Sequence, residues 1–267
     1  MKVALIQMNS QGDKARNLED ARRLIERAIA EEGPDLAALP EVWTCLSEDQ
    51  DEKLAAAEPL PDGDAYGLLR EIAARHGVIV HGGSLIERDQ DELFNTTVVF
   101  DRTGSEIARY RKIHLFDITT PDGREFRESA TFGRGMRTVT FEAGGARIGC
   151  TICYDVRFAE LYLALAKAGV DVIMVPAAFT LQTGKDHWEV LLRARAIETQ
   201  TFVLAPAQFG RYAGGRLACY GHSVVVDPWG HVIARAPDRP GYVAARLDLE
   251  DIRRVRERMP VAQHRVL

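Results

Sequence analysis

The 267-residue chain has no long apolar run. No stretch approaches the roughly 20 apolar residues that a membrane-spanning helix needs. The opening "MKVALIQMNS" holds one early lysine and a brief apolar run, too little for the core and cleavage site of a secretory signal. Both observations lead to the expectation of a cytoplasmic protein with no membrane partner. An excess of basic charge is missing too: the formal net charge is −5 and the pI about 5.9. That argues against a nucleic-acid partner, whose phosphates demand a basic surface. Cysteine is sparse, at four residues. In a reducing compartment these are no disulfide framework and must be core residues, ligands or catalysts. Internal repeats, low-complexity tracts and Gly/Ser linkers are absent, so residues 1–267 read as one domain.

What is present is ordinary globular material, 46% hydrophobic and 27% charged. Short apolar runs alternate with amphipathic stretches, the pattern of an α/β fold. Strands are expected at 3–6, 35–40, 77–87, 170–179, 201–208 and 222–227. Residues 94–100 and 105–113 flank Asp101-Arg102-Thr103-Gly104 as a hairpin, and 137–143 and 146–152 flank Gly144-Gly145 as another. Asp13 is a plausible cap for a helix in which Leu18, Ala21, Leu24, Ile25, Ala28 and Ile29 recur at helical spacing, and Gly33-Pro34 stops it. Further helices are expected near 64–75, 159–168 and 187–199.

Ligands of open α/β sheets bind beyond the carboxyl ends of strands. Three reactive side chains fall at such ends: Glu41 after 35–40, Lys112 at the close of 105–113, and Cys153 after 146–152. Their chemistry fits together. A nearby ammonium and a helix start would favour the thiolate of Cys153. A carboxylate can take the thiol proton and later activate water. The ammonium, with a backbone N–H following the cysteine, can face an oxyanion. Such a set cleaves an amide through an acyl-thioester without histidine, cofactor or metal. The plain alternatives are a solvated ion pair for Glu41 and Lys112 and a small buried hydrophobe for Cys153.

The stretch "CTICYDVRF" (150–158) also permits other chemistry. Cys150 and Cys153 have the spacing of a redox pair, but Cys150 belongs to a β-branched, strand-like run, and alternation sends the two to opposite faces. With Cys219 and His222 they make a Cys₃His set that zinc accepts, yet the tight glycine-rich turn of a zinc knuckle is missing at the first pair. A Cys-His hydrolase would pair Cys153 with His187 or His222. A partner-binding scaffold without catalysis is a further alternative.

The words "LPEVW" around Glu41, "YRKIHLFD" around Lys112 and "CYDVRF" around Cys153 resemble the three signature segments of the nitrilase (carbon–nitrogen hydrolase) superfamily. "LFNTTVVFD", "FRESATFGRG", "VPAAFTLQTGKDHWEVLLRARAIETQ" and "YGHSVVVDPWG" extend the likeness over nearly the whole chain. The resemblance implies a four-layer α-β-β-α sandwich. It implies Glu41 as general base, Lys112 as oxyanion stabiliser and proton donor, and Cys153 as nucleophile. Glu128 matches a second glutamate that supports the lysine, with Glu125 as its decoy. Arg157, four residues after Cys153, is either a contact for a substrate carboxylate or a structural partner of Asp155. Tyr154 is the other candidate substrate contact. Within the superfamily the segments are similar to the Nit branch, most closely to deaminated-glutathione amidases with ω-amidases as near relatives. The implied substrate is therefore a small amide bearing a carboxylate. The basic stretch 253–267 reads as a solvated helix face and tail, and the resemblance implies a homodimer or larger homo-oligomer.

Overall fold

The computed structural model describes residues 1–120 and 122–266, so Leu267, the end of the basic stretch, lies outside the described residues. Its first sheet has seven strands. Six run in the order Gly241–Arg246, Lys2–Gln7, Leu36–Ala38, Ile79–His81, Glu92–Phe100, Leu85–Asp89, and Glu106–Arg111 pairs with Glu92–Phe100 as well. The second sheet runs Val232–Arg235, Val224–Val226, Phe202–Ala205, Val172–Met174, Ala146–Cys150, Thr140–Ala143. The pairs among Lys2–Gln7, Leu36–Ala38 and Ile79–His81 are parallel, as are those among Ala146–Cys150, Val172–Met174 and Phe202–Ala205.

Alternation along the strands builds the layers. Val3 and Leu5 join Ile148 and Cys150 in the core between the sheets, while Ala4 and Ile6 turn outward onto Ala21, Leu24, Ile25 and Ala28 of the helix Lys14–Glu32. Each large apolar side chain so buried contributes about 1.5–3 kcal/mol over leaving it in water. The helix Asp64–His76 packs beside the first, through Leu69 and Ile72. On the far face of the second sheet lie the helices Ala159–Lys167 and Leu181–Thr199, which bury Leu161, Leu165, Trp188 and Leu192. The result is the four-layer α-β-β-α sandwich.

Local signals explain several boundaries. Asp13 accepts a hydrogen bond from the Arg16 N–H, and Gly33 takes the left-handed conformation at φ 55° that ends the helix. The strand expected over 77–87 is broken in two. Gly83 sits at φ +57°, and a Cβ there would meet the Pro40 carbonyl oxygen at 2.0 Å. The helix expected from 187 starts at Leu181 instead. Thr180 caps it through the Thr183 N–H, and Gly184 fits against the Tyr220 side chain, where a Cβ would stand 2.4 Å from the Tyr220 Cβ.

Candidate active site

The chain after Leu36–Ala38 turns sharply. Val42 is at φ 41°, a conformation that β-branched residues rarely adopt. The turn is tied down by Val42 N–H to Ser84 Oγ at 2.9 Å, Ser84 N–H to the Pro40 carbonyl at 3.1 Å, and Trp43 Nε1 to the Gly82 carbonyl at 2.8 Å. Glu41 is thereby aimed across the sheet end. Cys153 is likewise in the left-handed region, at φ 45°, where it opens a short 3₁₀ turn, Cys153–Arg157. Its N–H is taken by the Pro176 carbonyl at 2.9 Å. Strain of this kind, about 1–3 kcal/mol per residue, clusters at functional sites.

The three strand ends meet. Lys112 Nζ donates to Glu41 Oε1 at 2.8 Å and to Glu128 Oε1 and Oε2 at 3.0 and 2.8 Å. Glu41 Oε2 accepts from the Ala178 N–H at 2.7 Å, and Glu128 Oε2 from the Phe116 N–H at 2.6 Å. The Asn95 side-chain amide donates to Glu41 Oε1 at 2.9 Å and to Glu128 Oε1 at 3.1 Å. The Cys153 thiol stands beside this cluster, where both the Glu41 carboxylate and the Lys112 ammonium act on it. Glu41, Lys112 and Cys153 are all buried. Among the described residues no backbone acceptor outside its own turn takes the Tyr154 N–H, which leaves it available as an oxyanion donor.

The charges of the cluster set its protonation. Burial alone would neutralise Lys112, but Glu128 and Glu41 outweigh it and hold the ammonium well above the usual lysine range. Burial pushes the Cys153 thiol well up, Glu41 adds to the shift, and Lys112 offsets only part of it. Lys112 favours the thiolate, as expected of a nearby ammonium, but it does not outweigh burial and Glu41. Two carboxyl groups face one ammonium, so the sulfur rests protonated beside a base that can take its proton.

A cavity of about 360 Å³ opens on this cluster. Glu41, Asn95, Lys112, Glu128, Cys153 and Tyr154 line it, with apolar walls from Ile86, Phe116, Phe132 and Phe179. Its size and mixed lining suit a small organic ligand. Tyr154 is half-buried and packs edge-on against Phe116, with centroids 5.1 Å apart. Two antiparallel hairpins, Asp117–Thr119 with Glu125–Arg127 and Phe209–Tyr212 with Leu217–Tyr220, carry other lining residues.

Glu125 also lines the cavity, but it is exposed and pairs with Arg127 rather than with Lys112. The remaining candidates fall elsewhere. Arg157 does not line the cavity; its guanidinium carbon lies 5.2 Å from the Phe179 ring centroid, behind that wall, with His187 Nδ1 at 3.4 Å. Asp155 is engaged by Tyr110 Oη at 2.7 Å, His114 Nδ1 at 2.7 Å and the Ile152 N–H at 2.8 Å, so it is not Arg157's partner. His187 and His222 stand off the cavity, and His222 faces Asp238 at 3.1 Å. Cys150 is enclosed in the inter-sheet core, its thiol pushed to about 12 by burial. Among the described residues no three His, Cys, Asp or Glu side chains are gathered as a metal site requires, so the Cys₃His set does not assemble. Sequence reasoning assigned no role to Asn95, although it stands inside the word "LFNTTVVFD". Lys53, a lining residue without a carboxylate partner among the described residues, was also missed.

The carbon–nitrogen hydrolase family model matches residues 2–257. A deaminated glutathione amidase from Synechocystis sp. is 40% identical, the match covering 99% of this chain and 97% of that one. The Omega-amidase NIT2 of Xenopus tropicalis is 38% identical over 99% of this chain and 94% of its own length. The crystal structure of the C. elegans NitFhit protein superposes with a TM-score of 0.91 at 36% identity, covering 99% of this chain, which spans 65% of that protein. The chain belongs to the carbon–nitrogen hydrolase family.

Proposed function

We propose that the protein is an amidase that hydrolyses the C–N bond of a small carboxylate-bearing amide through an acyl-thioester on Cys153. The observation that carries this reading is the buried contact of Lys112 Nζ with Glu41 Oε1 at 2.8 Å beside the Cys153 thiol. Glu41 takes the thiol proton as sulfur attacks the carbonyl carbon. Lys112 and the Tyr154 N–H face the resulting oxyanion, and Glu128 holds Lys112 in place. Collapse breaks the C–N bond, and the proton leaves with the ammonia or amine. Glu41 then draws a proton from water, which attacks the thioester, releasing the acid and restoring the thiol.

The substrate class follows from the relatives, one named for deaminated glutathione and another for ω-amide cleavage. Both names denote amides of acids, so the cavity needs a cation for a carboxylate. Lys112 is held by two carboxylates and Arg127 pairs with Glu125. Lys53 lines the cavity without such a partner and is the proposed contact. A turnover panel tests the reading: deaminated glutathione, 2-oxoglutaramate and acetamide, with Cys153→Ala as control. Acidic amides should be preferred, and Lys53→Ala should lower their kcat/KM by about 1.5–3 kcal/mol, the scale of a lost charged hydrogen bond. Acetamide turned over as well as the acids would overturn the substrate class, and Arg157→Ala matching Lys53→Ala would return the carboxylate to Arg157.

The reading includes a cytoplasmic homo-oligomer of one domain. The pairing of Lys2–Gln7 with Gly241–Arg246 supports one domain. Val190, Ile197, Trp229 and Ile233 are exposed on the helix Leu181–Thr199 and around the turn beside it, an apolar patch fit to meet a second copy. No helix among the described residues is long and apolar enough to cross a membrane.

A further inference from the structure

We propose that Asn95 is a positioning residue for the hydrolysis: its side-chain NH₂ occupies Oε1 of Glu41 and Oε1 of Glu128 together, leaving Oε2 of Glu41 as the oxygen that takes the Cys153 proton. This rests on the amidase reading above. The geometry supplies the reason. Each carboxylate oxygen has room for about two donors. Glu41 Oε1 already receives Lys112 Nζ at 2.8 Å and Asn95 Nδ2 at 2.9 Å, whereas Oε2 receives only the Ala178 N–H at 2.7 Å. The open site for the thiol proton is therefore on Oε2.

Asn95 also keeps two carboxylates close to each other. Glu41 and Glu128 share Lys112, and the two Asn95 amide protons close the other side of the ring, one on each carboxylate. The amide orientation is set by these contacts. A flipped Asn95 would turn its oxygen onto two carboxylate oxygens. In the observed orientation Asn95 Oδ1 is buried with no partner among the described residues. An unpaired buried acceptor costs stability, and the cost is borne where the two donated bonds matter more. The backbone of Asn95 belongs to the same device, since its carbonyl accepts the Lys112 N–H at 2.9 Å. Glu41, Glu128, Lys112 and Cys153 are the titratable groups that meet around this amide, and Cys45 lines the same cavity.

Removing donors from a carboxylate disfavours its charged form, so the acidic limb of Glu41-dependent chemistry must move to higher pH. The readout is the pH profile of Cys153 alkylation by iodoacetamide, followed by peptide mapping, with the pH profile of kcat/KM beside it. Alkylation needs no amide substrate, so it tests Asn95 even if the amidase reading fails, and amide turnover by the parent protein tests that reading separately. In Asn95→Leu the acidic limb should rise by about one pH unit or more. Asn95→Ser keeps one hydroxyl donor and should rise less. Asn95→Asp adds a third carboxylate and should rise most. A purely structural role would slow Asn95→Leu or Asn95→Ser equally at every pH with the limb unmoved, and that result overturns the proposal. Asn95→Ser, the smaller change, carries the test if Asn95→Leu does not fold.

Discussion

Cys153 rests as a thiol at a strained φ of 45°, with the Glu41 carboxylate beside it. Its reactivity then depends on Glu41 more than on its own acidity. The other three thiols are also raised by burial, Cys45 to about 11 and Cys150 to about 12, with Cys219 higher still, and none of these shifts carries a hydrogen bond from a base. Iodoacetamide should therefore mark Cys153 first, and Glu41→Gln should slow that labelling by tenfold or more; preferential labelling of Cys150 would sink the assignment. Lys112 is the counterion of two buried carboxyl groups. Lys112→Met should cost about 3–5 kcal/mol in urea unfolding at neutral pH, because it leaves buried charge unpaired. The loss should shrink on acidification, since a protonated carboxyl needs no counterion. His81 tests the opposite case. It is fully buried, its Nδ1 accepts the Gly83 N–H at 3.2 Å, its Nε2 has no partner among the described residues, and burial lowers its pKa to about 3. Between pH 3 and about 6.5 the unfolded chain binds the proton that the folded chain refuses. Stability from neutral His81 is thus complete above that window and lost as pH falls through it, by up to about 1.4 kcal/mol per pH unit. Urea midpoints of His81→Gln should decline less steeply over the same range.

Strand ends and the turns after them position the reactive groups. The Glu41 turn depends on Gly83, which brings its backbone against Pro40 where no side chain fits. Gly83→Ala should destabilise the protein by at least 1–2 kcal/mol, roughly the left-handed penalty alone. It should also cut kcat, because Ser84 and Gly82 hold the turn that aims Glu41. Thermal unfolding and turnover measured on one preparation check both effects, and an unchanged kcat would detach Glu41's aim from this contact. Much at this level was legible. Asp13 and Gly33 mark the first helix, and the hairpin around Asp101-Arg102-Thr103-Gly104 forms with Asp101 Oδ1 accepting the Thr103 and Ser105 N–H groups. Glu41, Lys112 and Cys153 each close a stretch that reads as a strand, and the likeness of "LPEVW", "YRKIHLFD" and "CYDVRF" to the family's segments singled them out. The paired strands Asp117–Thr119 with Glu125–Arg127, and Phe209–Tyr212 with Leu217–Tyr220, were not legible. The first pair alternates between exposed and half-buried, and the second is mostly half-buried with only Tyr212 and Cys219 buried, so neither shows a continuous apolar face to detect.

At the level of the assembled chain, the sandwich leaves one notable face uncovered. Val190 and Ile197 lie two helical turns apart, and Gly230, next to Trp229, packs against Ile197. In sedimentation velocity the parent protein should run as more than one copy, as the proposed homo-oligomer requires. Val190→Asp with Ile197→Asp should lower that state while leaving each copy folded by circular dichroism. A monomeric parent overturns the oligomer, and an unchanged coefficient in the variant rules out this patch as its interface. Read along the chain alone, the α/β class and the faces that the strands bury are visible, and strand-end position with the family likeness marks Glu41, Lys112 and Cys153. Periodicity and side-chain chemistry are local, so a linear chain displays them. Only the tertiary structure decided that the sulfur rests protonated, that Asn95 joins two carboxylates and that Lys53 rather than Arg157 reaches the cavity. Those outcomes depend on groups 54, 71 and 137 residues apart meeting at Glu41 within hydrogen-bonding distance, and on the burial their meeting creates.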